Sequence, residues 1–96
     1  MITHIVLFKL NDKSKENLEK TADILMGMKG IISELKHIEV GIDVTHSDRS
    51  YDLALMTKFD SVADLNAYQT HPVHVKVAEY ILSVRESTVT VDFESS

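Results

Sequence analysis

Hydrophobic residues over the first ten positions follow an alternating pattern that predicts a β-strand with two apolar faces. The stretch ITHIVLFKL is rich in β-branched and aromatic residues, and the turn-forming NDKS follows it. Ile5 and Leu7 lie on one face. The other face presents His4, Val6, Phe8 and Leu10. Because a half-solvated strand would show one polar face, we expect both faces of this strand to be covered.

Further along the chain the apolar spacing lengthens to three and four residues, which predicts helices. Ser14 is placed to cap a first helix that ends near Gly30, and Ser61 begins a second helix with a capping-box spacing. Pro72 ends that helix and opens the last one, which runs to about Arg85. Three further strands are predicted in the stretches LKHIEVGIDV, YDLALMTKF and STVTVDFE.

The order of elements is therefore strand, helix, strand, strand, broken helix, strand. This order predicts an α+β fold of the ferredoxin-like, split βαβ type, in which helices cover one side of a four-stranded antiparallel sheet. The chain has 96 residues, a length that suits one domain, and we expect a single domain over residues 1–96.

The sheet face away from the helices is predicted to be apolar and uncovered. An exposed apolar surface of this size usually marks an interface, so we expect a homodimer in which two sheets pack face to face as an α/β barrel. The alternative is irregular alternation in a monomer. The residues assigned to this face are Ile5, Leu7, Ala54, Met56, Val89, Val91 and Phe93.

Composition narrows the possible partners and compartments. The formal net charge of −5 and the scattered lysines argue against a nucleic-acid partner, since phosphate binding needs clustered cations. The absence of cysteine excludes disulfides, thiolate catalysis and sulfur-based zinc sites. No stretch approaches the roughly 18 apolar residues of a membrane span, and the first residues do not resemble a signal peptide. We expect a cytoplasmic protein with no membrane partner.

Four polar side chains are predicted to converge between the sheet and the helices: His74, Tyr68, Asp92 and His4. A histidine paired with a carboxylate has a fixed tautomer and raised basicity, as a general base requires. A buried histidine bonded to a buried aspartate is, however, more often structural than catalytic. His71, next to proline, either caps the last helix or lines a pocket mouth. His71 and His74 lack a second nearby carboxylate, so no metal site is expected.

Several motifs resemble the stress-responsive dimeric α/β-barrel (Dabb) family over essentially the whole chain. They are THIVLFKL, GIDV, LMTKFDSVADLNAYQTHPVHVKV and the terminal VTVDF. The resemblance implies a ferredoxin-like fold whose two sheets form a barrel across a dimer. One enzymatic member, olivetolic acid cyclase, is distantly similar. That similarity implies a pocket in which Tyr68 and His74 act and Asp92 holds His74.

The resemblance also implies how a ligand is held. His4 and His71 match pocket residues of the cyclase, and Val6, Phe8 and Leu55 complete the expected ligand-binding set. The first helix departs from the cyclase, which has large aromatic residues there. This chain has Thr21, Ala22, Leu25 and Met26 instead, so its pocket has a different shape and the polyketide substrate does not transfer.

Two functions from different classes follow from these observations. The first is a protein that binds a small organic molecule and acts as a cyclase, isomerase or lyase on a carbonyl compound, with no cofactor. His74 is then the general base, Asp92 orients it, and Tyr68 donates a hydrogen bond to the developing oxyanion. The alternative is a non-enzymatic, stress-related structural or binding dimer. Oxygen-dependent chemistry like that of antibiotic-biosynthesis monooxygenases is a third possibility, by analogy of fold alone.

Overall fold

A computed structural model describes residues 1–95 and confirms the predicted α+β architecture. The sheet has four strands in the order β2-β3-β1-β4, and all neighbouring strands are antiparallel. The elements are β1 (Ile2–Leu10), α1 (Lys15–Met26), β2 (His37–Ile42), β3 (Leu53–Phe59), α2 (Val62–Thr70), α3 (Pro72–Val84) and β4 (Arg85–Glu94).

Local capping interactions explain where the helices begin. The Ser14 hydroxyl accepts a hydrogen bond from the Asn17 amide at 3.3 Å, and the Ser61 hydroxyl accepts one from the Asp64 amide at 3.1 Å. Each bond satisfies an amide that lacks a partner within the helix. The predicted end of α1 near Gly30 was wrong. The helix ends at Met26 and the chain continues in turns.

The hydrophobic core lies between the sheet and the helices. Its innermost side chains have an exposed fraction of 1% or less: Leu10, Leu25, Met28, Ile32, Phe59 and Tyr68. On the opposite face of the sheet, Val89, Val91 and Phe93 are 44%, 54% and 44% exposed, as the alternation of β4 predicts. Within residues 1–95, no helix is long and apolar enough to cross a membrane.

The register between β1 and β4 sets what faces the core. His4 lies opposite Asp92, Ile5 opposite Val91, and the pairing continues without a break as far as Lys9. The register shifts between Lys9 and Leu10, where β4 begins directly after α3. Because side chains alternate along each strand, this register puts the Asp92 carboxylate on the helix side of β4, and Val89, Val91 and Phe93 on the open side.

Two neighbouring isoleucines after α1 provide a test of where the core lies. Ile32 is 1% exposed and Ile31 is 58% exposed. We expect Ile32→Ala to lower the free energy of unfolding by about 2–5 kcal/mol, because it leaves a cavity in a packed core. The matched change Ile31→Ala should alter it by less than about 0.5 kcal/mol. Urea denaturation at equal protein concentrations measures both, and equal losses would contradict this assignment of the core.

Candidate functional site

A cavity of about 320 Å³ lies between the helices and the helix-covered face of the sheet. It is polar at one end, where His4, Tyr68 and His74 meet, and is otherwise mainly apolar. The complete lining is His4, Val6, Phe8, Leu25, Met28, Leu55, Tyr68, His74, Val77, Ala78, Ile81, Leu82, Arg85 and Thr88. Of the predicted site residues, only Asp92 and His71 do not line this cavity.

Asp92 is hydrogen-bonded to His4, not to His74. The two residues are direct partners in the β1–β4 register, and an Asp92 carboxylate oxygen contacts Nδ1 of His4. The His4 side chain is 6% exposed and that of Asp92 is 43% exposed. The predicted His74–Asp92 pair was therefore wrong. Neighbouring strands bring Asp92 onto His4, whereas His74 lies on α3 and reaches a different acceptor.

That acceptor is a backbone carbonyl at the end of α2. Nδ1 of His74 lies 3.0 Å from the carbonyl oxygen of Gln69. In a continuous helix this carbonyl would accept from the Val73 amide, but that amide instead donates to Nδ1 of His71 at 3.1 Å. Since a carbonyl can only accept, Nδ1 of His74 bears the proton. The neutral ring therefore has its free lone pair on Nε2.

The charge state of His74 follows from its surroundings. Burial lowers the pKa of His74 below its usual value of 6.5, because desolvation disfavours the imidazolium. The Gln69 carbonyl opposes this shift of the pKa, while the nearby His4 and His71 lower it further. His74 is consequently a neutral imidazole at pH 7, able to accept a proton.

Tyr68 lies between the two histidines with its hydroxyl unsatisfied. Its ring centroid is 4.4 Å from that of His74, 6.3 Å from that of His4 and 4.9 Å from that of Phe59. The side chain is fully buried, and its hydroxyl finds no hydrogen-bond partner within residues 1–95. Burial raises the pKa of Tyr68 well above its usual value of 10.0, so the phenol stays protonated. A buried donor without a partner is costly, and a ligand oxygen would satisfy it.

His71 is a helix cap and does not contact the cavity. Its ring nitrogen accepts the Val73 amide, and Pro72 occupies the first turn of α3, where a missing N–H costs nothing. The prediction that His71 lines the pocket was therefore wrong, and the capping alternative is the observed one. Its effect on the site is indirect, since it frees the Gln69 carbonyl for His74.

Two features of the site were not predicted from the sequence. The Gln69 acceptor is a backbone atom, so no residue type marks it. Arg85 lines the far end of the cavity, where its guanidinium donates to the Thr88 hydroxyl at 3.3 Å. The only signal for Arg85 was its position at the predicted end of the last helix. Within the described part of the chain, no cluster of three or more acidic, histidine or cysteine residues is suited to hold a metal ion.

The His4–Asp92 bond gives a stability prediction. We expect Asp92→Ala to lower the free energy of unfolding by about 1–3 kcal/mol, because the buried His4 N–H loses its acceptor. The loss should fall toward the lower end, since water can reach the half-exposed position of Asp92. Urea denaturation measures it. The control Glu94→Ala, at an exposed position on the same strand, should stay within about 0.5 kcal/mol of the unmodified protein. Equal effects of the two changes would contradict the role of Asp92.

Comparisons with known proteins agree with this architecture. The family model of the stress-responsive A/B barrel domain (Dabb) matches residues 2–95. The stress-response A/B barrel domain-containing protein DABB1 of Arabidopsis thaliana is 33% identical over 100 residues. The match covers 97% of this chain and 46% of that protein, so the chain spans about half the length of this relative.

Solved structures with the same fold agree with this assignment. A dimeric ferredoxin-like protein of unknown function from Thermobifida fusca is 30% identical with a TM-score of 0.86, covering 98% of this chain and 90% of that one. The hydroxynitrile lyase of Passiflora edulis shares the fold at 19% identity and a TM-score of 0.85, over 99% and 93% of the two chains. The resemblance read from the sequence motifs is confirmed: the chain belongs to the stress-responsive A/B barrel domain family.

Proposed function

We propose that this protein binds a small carbonyl compound between its sheet and helices and transfers a proton to and from it without a cofactor. One observation supports this proposal above all. Tyr68, whose buried hydroxyl has no partner within residues 1–95, lines the same cavity as His74, whose Nδ1 is held by a backbone carbonyl so that Nε2 is free. A donor and a base beside one cavity are the two groups that enolisation requires.

In this mechanism, neutral His74 is the general base. Its Nε2 lone pair takes a proton from the carbon next to the substrate carbonyl, and the C–H electron pair becomes the enolate π-bond. The lowered pKa of His74 keeps the ring unprotonated at neutral pH, which is the state that a base needs. The imidazolium then returns the proton to carbon or oxygen, so the protein ends the cycle unchanged.

Tyr68 is the oxyanion donor in the same mechanism. Its hydroxyl has no partner to give up within residues 1–95, so a bond to the developing enolate oxygen costs no existing bond. The raised pKa of Tyr68 keeps the phenol a donor and prevents it from giving up its proton entirely. The lining around the hydroxyl is mainly apolar, and a hydrogen bond in such low-dielectric surroundings is stronger than one made in solution.

His4 lines the polar end of the cavity, and its hydrogen bond to Asp92 fixes the tautomer of its ring. Asp92 accepts from Nδ1 of His4, which leaves Nε2 as the ring nitrogen available to the cavity. His4 therefore presents a second ring nitrogen at the polar end of the cavity, beside Tyr68. Enolisation is the step that cyclases, isomerases and lyases of carbonyl compounds share.

The comparisons support the proposal only at the level of the fold. One structural neighbour is described as a hydroxynitrile lyase, and its 19% identity concerns architecture alone. The alternative is a non-enzymatic, stress-related binding or structural dimer, in which the polar end of the cavity serves only stability. The two functions differ in whether a ketone loses protons inside the cavity.

The test is deuterium exchange at the α-carbons of 2-decanone in D₂O, followed by ¹H NMR. The protein should accelerate exchange above the buffer rate. His74→Gln should lower the accelerated rate by roughly 10²–10⁴-fold by removing the base. Tyr68→Phe should lower it by roughly 10²–10³-fold by removing the oxyanion donor. Because the pKa of His74 is lowered, the rate should be at its plateau at pH 7 and fall on acidification, with a midpoint below 6.5.

The matched control for this test is His46→Gln, which removes an exposed histidine from the loop between β2 and β3. Its exchange rate should equal that of the unmodified protein. If the protein does not accelerate exchange, or if His74→Gln exchanges as fast as His46→Gln, the enzymatic proposal is wrong and the non-enzymatic alternative gains support.

We further propose that the chain, as a single domain over residues 1–96, forms a homodimer through its open sheet face. Val89, Val91 and Phe93 form an exposed apolar row on β4, and Val91 is the direct partner of Ile5 on β1. Apolar surface of this kind is stabilised by burial against a second copy. The Thermobifida fusca neighbour is described as dimeric, which supports a dimer here.

Analytical ultracentrifugation tests the dimer. The unmodified protein should sediment at twice the mass of the chain, and Val91→Lys should shift it toward the monomer by placing a charge in the apolar face. The control Val62→Lys adds the same charge at an exposed position on α2, with 57% exposure, and should leave the dimer intact. A monomeric unmodified protein would rule out the dimer.

A further inference from the structure

The cavity has a cation at the end opposite its histidines. Arg85 is half-buried, lines the cavity, and bonds only the neutral Thr88 hydroxyl through its side chain. None of the ion pairs among residues 1–95 includes Arg85, although the chain has 15 acidic residues and 10 basic ones. A charge that is partly removed from water is stabilised by an oppositely charged partner. The guanidinium of Arg85 lacks such a partner within residues 1–95, and a carboxylate could supply it.

The sheet register gives the separation between this cation and the proton-transfer end. Thr88 lies opposite Phe8, and Asp92 lies opposite His4. These two rows are four residues apart along β1, which corresponds to about 13 Å at the rise of an antiparallel strand. The lining between the two ends is apolar and includes Val6, Leu55 and Val77. An occupant that reaches both ends must therefore be elongated, with an apolar middle.

We propose that the substrate is an elongated monoanion, with a ketone or aldehyde carbonyl at the Tyr68–His74 end and a carboxylate at Arg85. This inference rests on the proposed function and specifies the class of substrate for the same cavity. A planar carboxylate matches the fork of donors on a guanidinium and forms paired, charge-assisted hydrogen bonds. Thr88 holds the guanidinium in place, so less conformational freedom is lost when the carboxylate binds.

The closing experiment compares two ligands that differ only at the far end of the chain. In 9-oxodecanoate a carboxylate replaces the terminal methyl group of 2-decanone, while the methyl ketone and the seven intervening methylenes are the same. We expect the unmodified protein to bind 9-oxodecanoate at least about tenfold more tightly than 2-decanone, measured by calorimetry at pH 7.5. The short keto acid 4-oxopentanoate cannot span the cavity and should bind at least about tenfold more weakly than 9-oxodecanoate.

Variants assign this preference to Arg85. Arg85→Gln should reduce the preference for 9-oxodecanoate over 2-decanone to less than about threefold. Arg85→Lys should retain only part of the preference, because the charge remains but the paired donors of the guanidinium are lost. The control Arg49→Gln removes an equal charge from an exposed loop position and should change nothing. Backbone amide shifts in ¹⁵N NMR should be largest at residues that line the cavity.

The possible outcomes separate the two proposals. If 2-decanone binds and exchanges its α-protons but 9-oxodecanoate binds no more tightly, the carboxylate inference is overturned and the proposed function stands. The inference is also overturned if Arg85→Gln keeps the full preference. If neither ligand binds the unmodified protein, both the inference and the proposed function are overturned.

Discussion

The pairing of β1 with β4 is the constraint on which the rest of the molecule depends. It places His4 opposite Asp92 and Ile5 opposite Val91, and it extends over almost the whole length of both strands. A slip of one residue would turn the carboxylate of Asp92 to the open face and bring Val91 toward the helices. The register thus determines both the polar end of the cavity and the apolar surface on the other side of the sheet.

The break between α2 and α3 has a comparable effect on the second histidine. Pro72 begins α3, and the His71 ring takes the amide of Val73, so the Gln69 carbonyl is left without its helical donor. His74 supplies that donor through Nδ1. A capping interaction that stabilises the start of a helix therefore also sets the tautomer of a histidine in the cavity. A backbone carbonyl thus does for His74 what the Asp92 carboxylate does for His4.

The buried hydroxyl of Tyr68 is a feature that lowers the stability of the fold. The core around it is well packed, with Phe59 at a ring distance of 4.9 Å, yet its hydroxyl has no partner within residues 1–95. Such a group lowers stability compared with phenylalanine, which would fill nearly the same space without an unsatisfied donor. Departures from local consistency of this kind tend to occur at functional sites. At the other end of the same cavity, Arg85 is a half-buried cation that takes part in none of the ion pairs among residues 1–95.

The sequence alone determined the order of elements, the antiparallel sheet and the uncovered apolar face, because these depend on periodicity and capping within single elements. It also placed His4, Tyr68 and His74 on the helix-covered side, since each lies on the inner stripe of its own element. Only the tertiary structure decided which acceptor each histidine contacts. That choice depends on strand register and on a freed backbone carbonyl, neither of which is specified by the residue types of His74 or Asp92. The cavity position of Arg85 was likewise decided by the bulge between β1 and β4 and by the immediate passage from α3 into β4.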